Sequence, residues 1–275
     1  MTAPVIRNLA LSEVETLVSW AGDEGWNPGL ADAAAFHAAD PDGFLGVFVD
    51  GEMAGGISAV AYGTTFGFIG LYIVKPEYRG RGLGRAVWDA GIKRLEGRTI
   101  GLDGVPEQQA NYRSMGFLPA YESVRLTGQP WLKHASFNVS DEADPDSVSG
   151  LDATCFPADR RSLLQAWLSP LHIIRAISDD TGLRGYGVVR RCLQDYKIGP
   201  LFADSAEIAM AILAALVEAV EGPVQIDAPL LHPDFTGALL SAGMTPGFST
   251  TRMYRGPAPD IEMAKVFGVT TLELG

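Results

Sequence analysis

Cysteine is almost absent. Cys155 and Cys192 are the two in 275 residues, too few for a disulfide framework. No apolar run reaches the roughly 18 residues of a membrane span, and the start Met-Thr-Ala-Pro-Val-Ile-Arg-Asn lacks the basic region and apolar stretch of a signal peptide. The expectation is therefore a cytoplasmic protein with no membrane partner. Basic residues are also scarce: 21 Lys and Arg stand against 33 Asp and Glu, for a net charge of −12. Nucleic acid is excluded as a partner on that balance, because neutralising phosphates takes a basic face. Gly-Lys-Ser and Gly-Lys-Thr do not occur, which removes the P-loop. Disorder is excluded too, since 47% hydrophobic against 20% charged residues describes a chain folded throughout. Its length suits one large or two modest domains.

Some of the basic residues gather in one place. Tyr72-Ile73-Val74-Lys75-Pro76-Glu77-Tyr78-Arg79-Gly80-Arg81-Gly82-Leu83-Gly84-Arg85 begins as a β-branched run, stops at a proline, and turns through three glycines and three arginines in seven residues. Leu83, Val87, Ala90, Gly91 and Leu95 then recur at helical spacing. Strand, glycine-rich turn and helix start make an anion trap. The first-turn N–H groups point outward, the helix dipole favours negative charge, and glycine lets the backbone approach without a Cβ in the way. Arg79, Arg81 and Arg85 add attraction and bidentate donors for phosphate oxygens. A dinucleotide loop would read G-x-G-x-x-G near the chain start; here the order is G-x-G-x-G, with several strand and helix patterns ahead of it. An acidic chain with one basic loop suits an anionic cofactor and an amine substrate.

Before that loop, Val5 to Leu9 reads as a strand, and Ser12 with Glu15 forms a capping-box pattern. Val14, Leu17, Val18 and Ala21 make one helical face. Glu24-Gly25-Trp26-Asn27-Pro28-Gly29 is a polar-aromatic turn, and Asp32 to Ala39 a helix stopped by Pro41. Phe44–Val49, Asp50-Gly51 and Glu52–Val60 read as a hairpin. After the loop come a short strand Ile100–Leu102 ending at Asp103-Gly104, a helix Glu107–Ser114 and a strand Ala120–Leu126.

The arginine–glycine run after V-x-P-x-Y resembles the acetyl-CoA pyrophosphate loop of the GNAT superfamily of N-acetyltransferases. Asn111-Tyr112-Arg113-Ser114-Met115-Gly116-Phe117 looks like that family's Y-x-x-x-G-F signature, in the right order behind a helix and a strand. The rest of the chain echoes the first part. Ser114, Gly116, Pro119 and Arg125 align at one offset with Ser241, Gly243, Pro246 and Arg252, and Val224-Gln225-Ile226-Asp227 is similar to Ile100-Gly101-Leu102-Asp103. Ile208, Ile212, Ala215, Leu216 and Ala219 make a helix in place of the one after the anion loop, with Tyr186–Cys192 as the strand before it. The expected fold class is α/β (α+β mixed sheet) in two tandem GNAT-like domains, 1–130 and 131–275. The pattern resembles bacterial tandem proteins with a degenerate second copy, and Lys197 to Ser205 resembles their second-domain loop. That copy lacks the chemistry: Leu201-Phe202-Ala203-Asp204-Ser205-Ala206 has no glycine or arginine, Asp204 suits a helix cap, and Leu239 replaces Tyr112.

What the resemblance implies is direct transfer of an acetyl group from acetyl-CoA to the amine of a small molecule, without metal, by a monomer or homodimer. It implies that backbone groups around Tyr72, Ile73 and Val74 take the pantetheine arm. Backbone N–H groups of Arg79, Gly80, Arg81, Gly82, Leu83 and Gly84, with Arg85, take the pyrophosphate, and Asn111 contacts the pantetheine or adenosine. Tyr112 is the implied general acid, a phenol able to donate to a thiolate. The substrate-facing residues are Glu24, Trp26 and Asn27 of the first inter-helix turn, with Asp103. The family's usual glutamate on the strand before the loop is missing, since Ile69, Gly70, Leu71 and Tyr72 stand there. Glu24, His37, Asp103, Glu107, His232 and Asp234 remain open as bases, and a non-catalytic acyl-CoA-binding protein is the alternative. His134 and His172 show no metal-ligand spacing, and the two cysteines read as packing residues.

Overall fold

The computed structural model describes residues 3–132 and 137–275, so His134 lies outside the described residues. The first half runs β1 (Val5–Asn8), α1 (Leu11–Asp23), α2 (Asp32–Ala39), β2 (Phe44–Val49), β3 (Glu52–Tyr62), β4 (Phe66–Val74), α3 (Leu83–Arg94), β5 (Thr99–Gly104), α4 (Gln109–Ser114) and β6 (Leu118–Gly128). The second runs α5 (Pro145–Cys155), α6 (Arg161–Trp167), β7 (Ile173–Asp179), β8 (Gly182–Arg191), β9 (Tyr196–Ala203), α7 (Ala206–Glu218), β10 (Val224–Pro229), α8 (Pro233–Ser241), β11 (Thr245–Arg255) and β12 (Val266–Gly268). Among the described residues no helix is long and apolar enough to cross a membrane.

Local sequence accounts for most of these elements. The hairpin turn puts Asp50 and Gly51 at φ 51° and 88°, the left-handed pair that a two-residue hairpin needs. Val14, Leu17, Val18 and Ala21 are all buried on one face of α1. The α1 cap lies earlier than Ser12 and Glu15. Glu13 accepts from the Ala10 N–H at 2.9 Å while Arg7 holds its carboxylate at 2.6 and 2.8 Å, so the helix starts at Leu11 and Ser12 sits inside it.

All strands join one mixed sheet in the order β1-β2-β3-β4-β5-β11-β6-β10-β9-β8-β7, with β12 on β9. The two halves thus exchange their last long strands. β11 takes the place beside β5, and β6 lies beside β10. The aligned arginines hold each strand in the opposite half. Arg252 of β11 registers with Asp103 of β5 and grips both carboxylate oxygens at 2.8 Å. Arg125 of β6 registers with Asp227 of β10 at 2.8 and 2.9 Å. Both pairs are buried, where a bidentate partner is what offsets desolvation. The turns ahead of β6 and β11 match as well, with Gly116 and Gly243 at φ 89° and 100°.

Three readings of the second half change. The strand entering α7 is β9, and Tyr186–Arg191 of the expected strand belongs to β8, one strand earlier. Residues 197–203 are therefore strand and not loop. Pro200 disguises them, yet it falls where the β8 register slips between Gly187 and Val189, a bulge that needs no N–H from it. Asp204 does not cap α7. Ser205 does, through the Ile208 N–H, while Asp204 pairs with Arg184 at 2.6 Å and Lys265 at 3.3 Å. Cys155 and Cys192 are buried, and burial pushes the Cys155 thiol up to about 11, far from a nucleophile's range.

Candidate active site

β4 and β5 pair in parallel for four residues, Phe66–Ile69 against Thr99–Leu102, and then part. The cause lies in β4. Against β3, Gly56 faces Ile73 but Ser58 faces Gly70, so Leu71 and Tyr72 share one partner position and Leu71 sits at φ 45°. That bulge turns the end of β4 away and opens a wedge between the parallel strands. The wedge continues into a cleft of about 600 Å³, large enough for a small molecule and the arm of a cofactor.

At one end of the cleft lies the anion loop. Pro76–Tyr78 forms one 3₁₀ turn, then Gly80 and Gly82 take φ 74° and 78° and α3 begins. No side chain caps α3 and its first turn carries no acid, leaving its N–H groups to a ligand. A Cβ on Gly80 or Gly82 would meet nothing within 4 Å, so these glycines serve backbone shape and an open face rather than packing. Arg79 ties the loop down by donating to the Val74 carbonyl at 2.8 Å and pairing with Glu24 at 2.6 Å. Gly84 leaves room for the Tyr72 hydroxyl, which a Cβ there would approach to 2.6 Å.

Tyr112 stands between loop and wedge. Its ring stacks on Trp88 at 5.5 Å and meets Phe117 edge-on at 6.3 Å. Burial pushes its hydroxyl up to about 12 and raises the Tyr72 hydroxyl as well.

Of the residues singled out in the sequence, Tyr72, Ile73, Val74, Arg79, Gly80, Gly82, Gly84, Arg85, Tyr112, Glu24, Trp26 and Asp103 all line this one cleft. Four others face elsewhere. Arg81 lies over the Tyr78 ring, and Leu83 is buried in the α3 core. Asn111 donates to Gln108 at 2.8 Å, and Asn27 bonds to Gln194 and Gln225 of the second half. Among the candidate bases, Glu24 and Asp103 reach the cleft but are held by Arg79 and Arg252. Burial pushes the Asp103 carboxyl up, with Arg252 acting against it. His37, Glu107, His232 and Asp234 are not part of the cleft wall, and His232 stacks on Phe267 at 4.3 Å.

The opposite end of the cleft comes from parts of the chain that sequence reasoning passed over for this site: Arg125, Phe248, Thr250, Leu272 and Glu273. Arg125 and Thr250 arrive through the strand exchange. Leu272 and Glu273 lie on a segment that leaves β12, crosses the second half and finishes against β3 and β4. Its carbonyls accept from Ser58 Oγ at 3.3 Å (Glu273) and from the Tyr62 hydroxyl at 3.0 Å (Leu274). An acid between two leucines, Leu272-Glu273-Leu274, was the one available signal.

The equivalent wedge in the second half is filled. β9 and β10 pair for three residues, and beyond them β12 lies on β9 at Leu201 and Phe202. Only Asp204 and Ser205 separate β9 from α7, too short a link to cradle a pyrophosphate.

Comparison with known proteins finds a match to the same family in each half. A model of the Acetyltransferase (GNAT) family matches residues 11–118, and an Acetyltransferase (GNAT) domain model matches residues 148–268. Holothin acyltransferase from Pseudoalteromonas sp. (strain SANK 73390) is 34% identical over 275 residues, covering 97% of this chain and 92% of that protein. The chain belongs to the GNAT acetyltransferase family. The uncharacterized N-acetyltransferase YitH of Bacillus subtilis (strain 168) is 33% identical over 64% of both chains. Among solved structures, a putative acetyltransferase from Pyrococcus horikoshii superposes with a TM-score of 0.85 at 24% identity, over 100% of this chain and 97% of that one. A tandem GNAT protein from the clavulanic acid biosynthesis pathway gives 0.63 at 14% identity, over 93% and 100%. The GNAT fold is thus present twice in this enzyme, as an acyltransferase of the tandem kind.

Proposed function

We infer that this GNAT acyltransferase moves an acetyl group from acetyl-CoA directly to the amine of a small molecule, in one site per chain. The two repeats, 1–130 and 131–275, act as one catalytic unit, the second shaping the acceptor end. The observation that carries this reading is a single cleft with an uncapped, glycine-lined helix start at one end and residues of the second repeat at the other.

The residues fit acetyl-CoA. Gly80 and Gly82 leave open space over the α3 N-terminus for a pyrophosphate, and Arg85 stands at the same rim. The parted edge of β4 from Gly70 to Val74 has no strand beside it on the β5 side, so its backbone is free to pair with the amide-bearing pantetheine as a strand would. When bound, acetyl-CoA supplies the activated thioester. The protein holds it beside the amine, excludes water, and moves protons. Tyr112 keeps its proton at neutral pH because burial lifts its hydroxyl to about 12, and it donates that proton toward the leaving sulfur. Walls from Trp26, Phe248 and Leu272 narrow the acceptor end, which favours a small amine over a polypeptide.

The test is thiol release from acetyl-CoA against a panel of amines that includes holothin. Release that depends on a particular amine is the expected result, with Tyr112→Phe lowering kcat by about 100-fold, the usual range for a general acid. Because burial lifts the Tyr112 hydroxyl to about 12, kcat holds level from about pH 8 to about pH 10, and a fall across that range would contradict a raised phenol as the acid. Tight acetyl-CoA binding without release by any amine would overturn the reading.

A further inference from the structure

β4 offers the cleft no carboxylate, since Ile69 to Val74 bring only apolar and tyrosine side chains. Glu24 and Asp103 reach the cleft already occupied by arginines. Glu273 differs from both. It is 5% exposed, lines the same cleft, and its Oε2 is buried with no hydrogen-bond donor. Thr250 Oγ1, buried in the lining of the same cleft, also lacks a partner. Two unpaired buried oxygens in the lining of one cleft are costly unless a ligand with N–H groups completes them.

Its neighbours leave Glu273 available. Arg125 on β6, Arg190 on β8 and Lys197 on β9 all feel its charge, as does Cys192. Arg125 is held by both Asp227 oxygens, and Arg190 reaches Asp32 through Nε alone and keeps both terminal nitrogens without a partner. Lys197 donates to the Trp26 carbonyl at 3.2 Å, so none of the three hydrogen-bonds Glu273 Oε2.

The backbone under Glu273 is fixed. Besides the bonds from Ser58 and Tyr62, the Leu274 N–H donates to Thr271 Oγ1 at 2.9 Å and Arg160 donates to the Gly275 carbonyl at 2.8 Å. The Glu273 carbonyl rests in a notch at Gly70, where a Cβ would lie 2.1 Å from it. The same segment uses a matching notch in the second repeat, where a Cβ on Gly199 would lie 2.4 Å from the Val269 carbonyl. One stretch of chain thus crosses both repeats and sets an acid against β4 at the start of its bulge.

We propose that Glu273 is the carboxylate that holds the acceptor amine and takes its proton, so that the segment after β12 completes the first repeat's active site. This rests on the amine-acetyltransferase reading above. The acceptor is a primary amine that arrives as an ammonium ion, with Thr250 Oγ1 as a second acceptor for its N–H groups. Glu273 removes one proton and bares the nitrogen lone pair. The C–N bond then forms and the C–S bond breaks with its electron pair on sulfur. Tyr112 gives its hydroxyl proton to sulfur, and the second nitrogen proton leaves to solvent. Solvent returns a proton to Tyr112 and takes the one on Glu273.

The experiment compares wild type with Glu273→Gln and Glu273→Asp on the best alkylamine and the best arylamine of the panel, alongside acetyl-CoA calorimetry. Glu273→Gln should lower kcat for the alkylamine at least about 100-fold, and for the arylamine, which carries no extra proton in water, about tenfold or less. Glu273→Asp should recover part of the alkylamine rate, and acetyl-CoA affinity should stay within about threefold. Gly70→Ala, which keeps the acid but not its seat, should share the alkylamine defect. Rates for Glu273→Gln within about threefold of wild type on both amines would overturn the proposal and leave the acetyltransferase standing. Equal losses on both amines, with Glu273→Asp no better, would mark Glu273 as structural and overturn it too. Wild type that binds acetyl-CoA yet acetylates no amine would sink the parent reading, and this one with it.

Discussion

Gly82→Glu weakens acetyl-CoA binding by about 100- to 1,000-fold while the fold persists. The range follows from a unit charge opposing pyrophosphate at about 4 Å, worth up to about 4 kcal/mol near a protein surface. Gly82 sits at φ 78° just before α3, and a Cβ there would touch nothing within 4 Å. The new side chain therefore enters open space beside the α3 N-terminus and not the protein's packing. Holding a non-glycine residue in the left-handed region costs about 1–3 kcal/mol, so a modest drop in Tm accompanies the loss. Calorimetric titration checks the prediction. Binding at wild-type strength in Gly82→Glu would remove the loop from the cofactor site.

Arg252→Met destabilises the whole molecule, and not the second repeat alone. It strands the Asp103 carboxylate, whose side chain is 1% exposed, and breaking a buried pair on one side typically costs about 3–5 kcal/mol. Stacking of the guanidinium over Phe68 and Tyr121 is lost as well. In a chain of this size each kcal/mol shifts Tm by about 2–4 °C, so a drop of about 10 °C is expected. Asp103 sits on β5 and Arg252 on β11, so the damage falls on the strand exchange itself and a calorimetric scan should show one lowered transition. Replacing both partners, Arg252→Met with Asp103→Leu, should recover most of the loss, since an apolar pair leaves no charge stranded. The pH dependence has a definite sign. Burial already raises the Asp103 carboxyl, and a carboxyl raised in the folded state favours folding below its unfolded pKa. The Arg252→Met deficit therefore shrinks toward about pH 4 and grows toward neutrality. Two separate transitions with the first repeat unaffected would contradict the exchange.

The parts of the site legible in the sequence are those made by neighbours in the chain. The anion loop is a run of glycines whose positive φ values follow from local geometry, and Tyr112 is fixed a few residues before Gly116 on the same short helix and turn. The strand exchange was not legible, and the repeat itself is the reason. Pro119 and Arg125 on β6 match Pro246 and Arg252 on β11, so either strand suits either half, and only the assembled sheet selects β5 for β11. The same symmetry hid the second repeat's side of the cleft, because Arg125 and Thr250 reach it on exchanged strands. β9 was concealed by Gly199 and Pro200, residues that read as a loop until a bulge accommodates them. Glu273 is the extreme case. The missing acid on β4 argued in the sequence for a non-catalytic protein, yet Gly70, standing in that stretch, is the notch that seats the Glu273 backbone. A glycine where an acid is expected was a sign of close approach by another part of the chain.

A crystal structure with acetyl-CoA bound tests the central claim most directly. The account predicts one molecule per chain, its pyrophosphate on the backbone of residues 79–84, its pantetheine in the wedge between β4 and β5, and its acetyl group between Tyr112 and Glu273. Acetyl-CoA lodged between β9 and β10, or bound only where the segment after β12 has been expelled from the cleft, would contradict it.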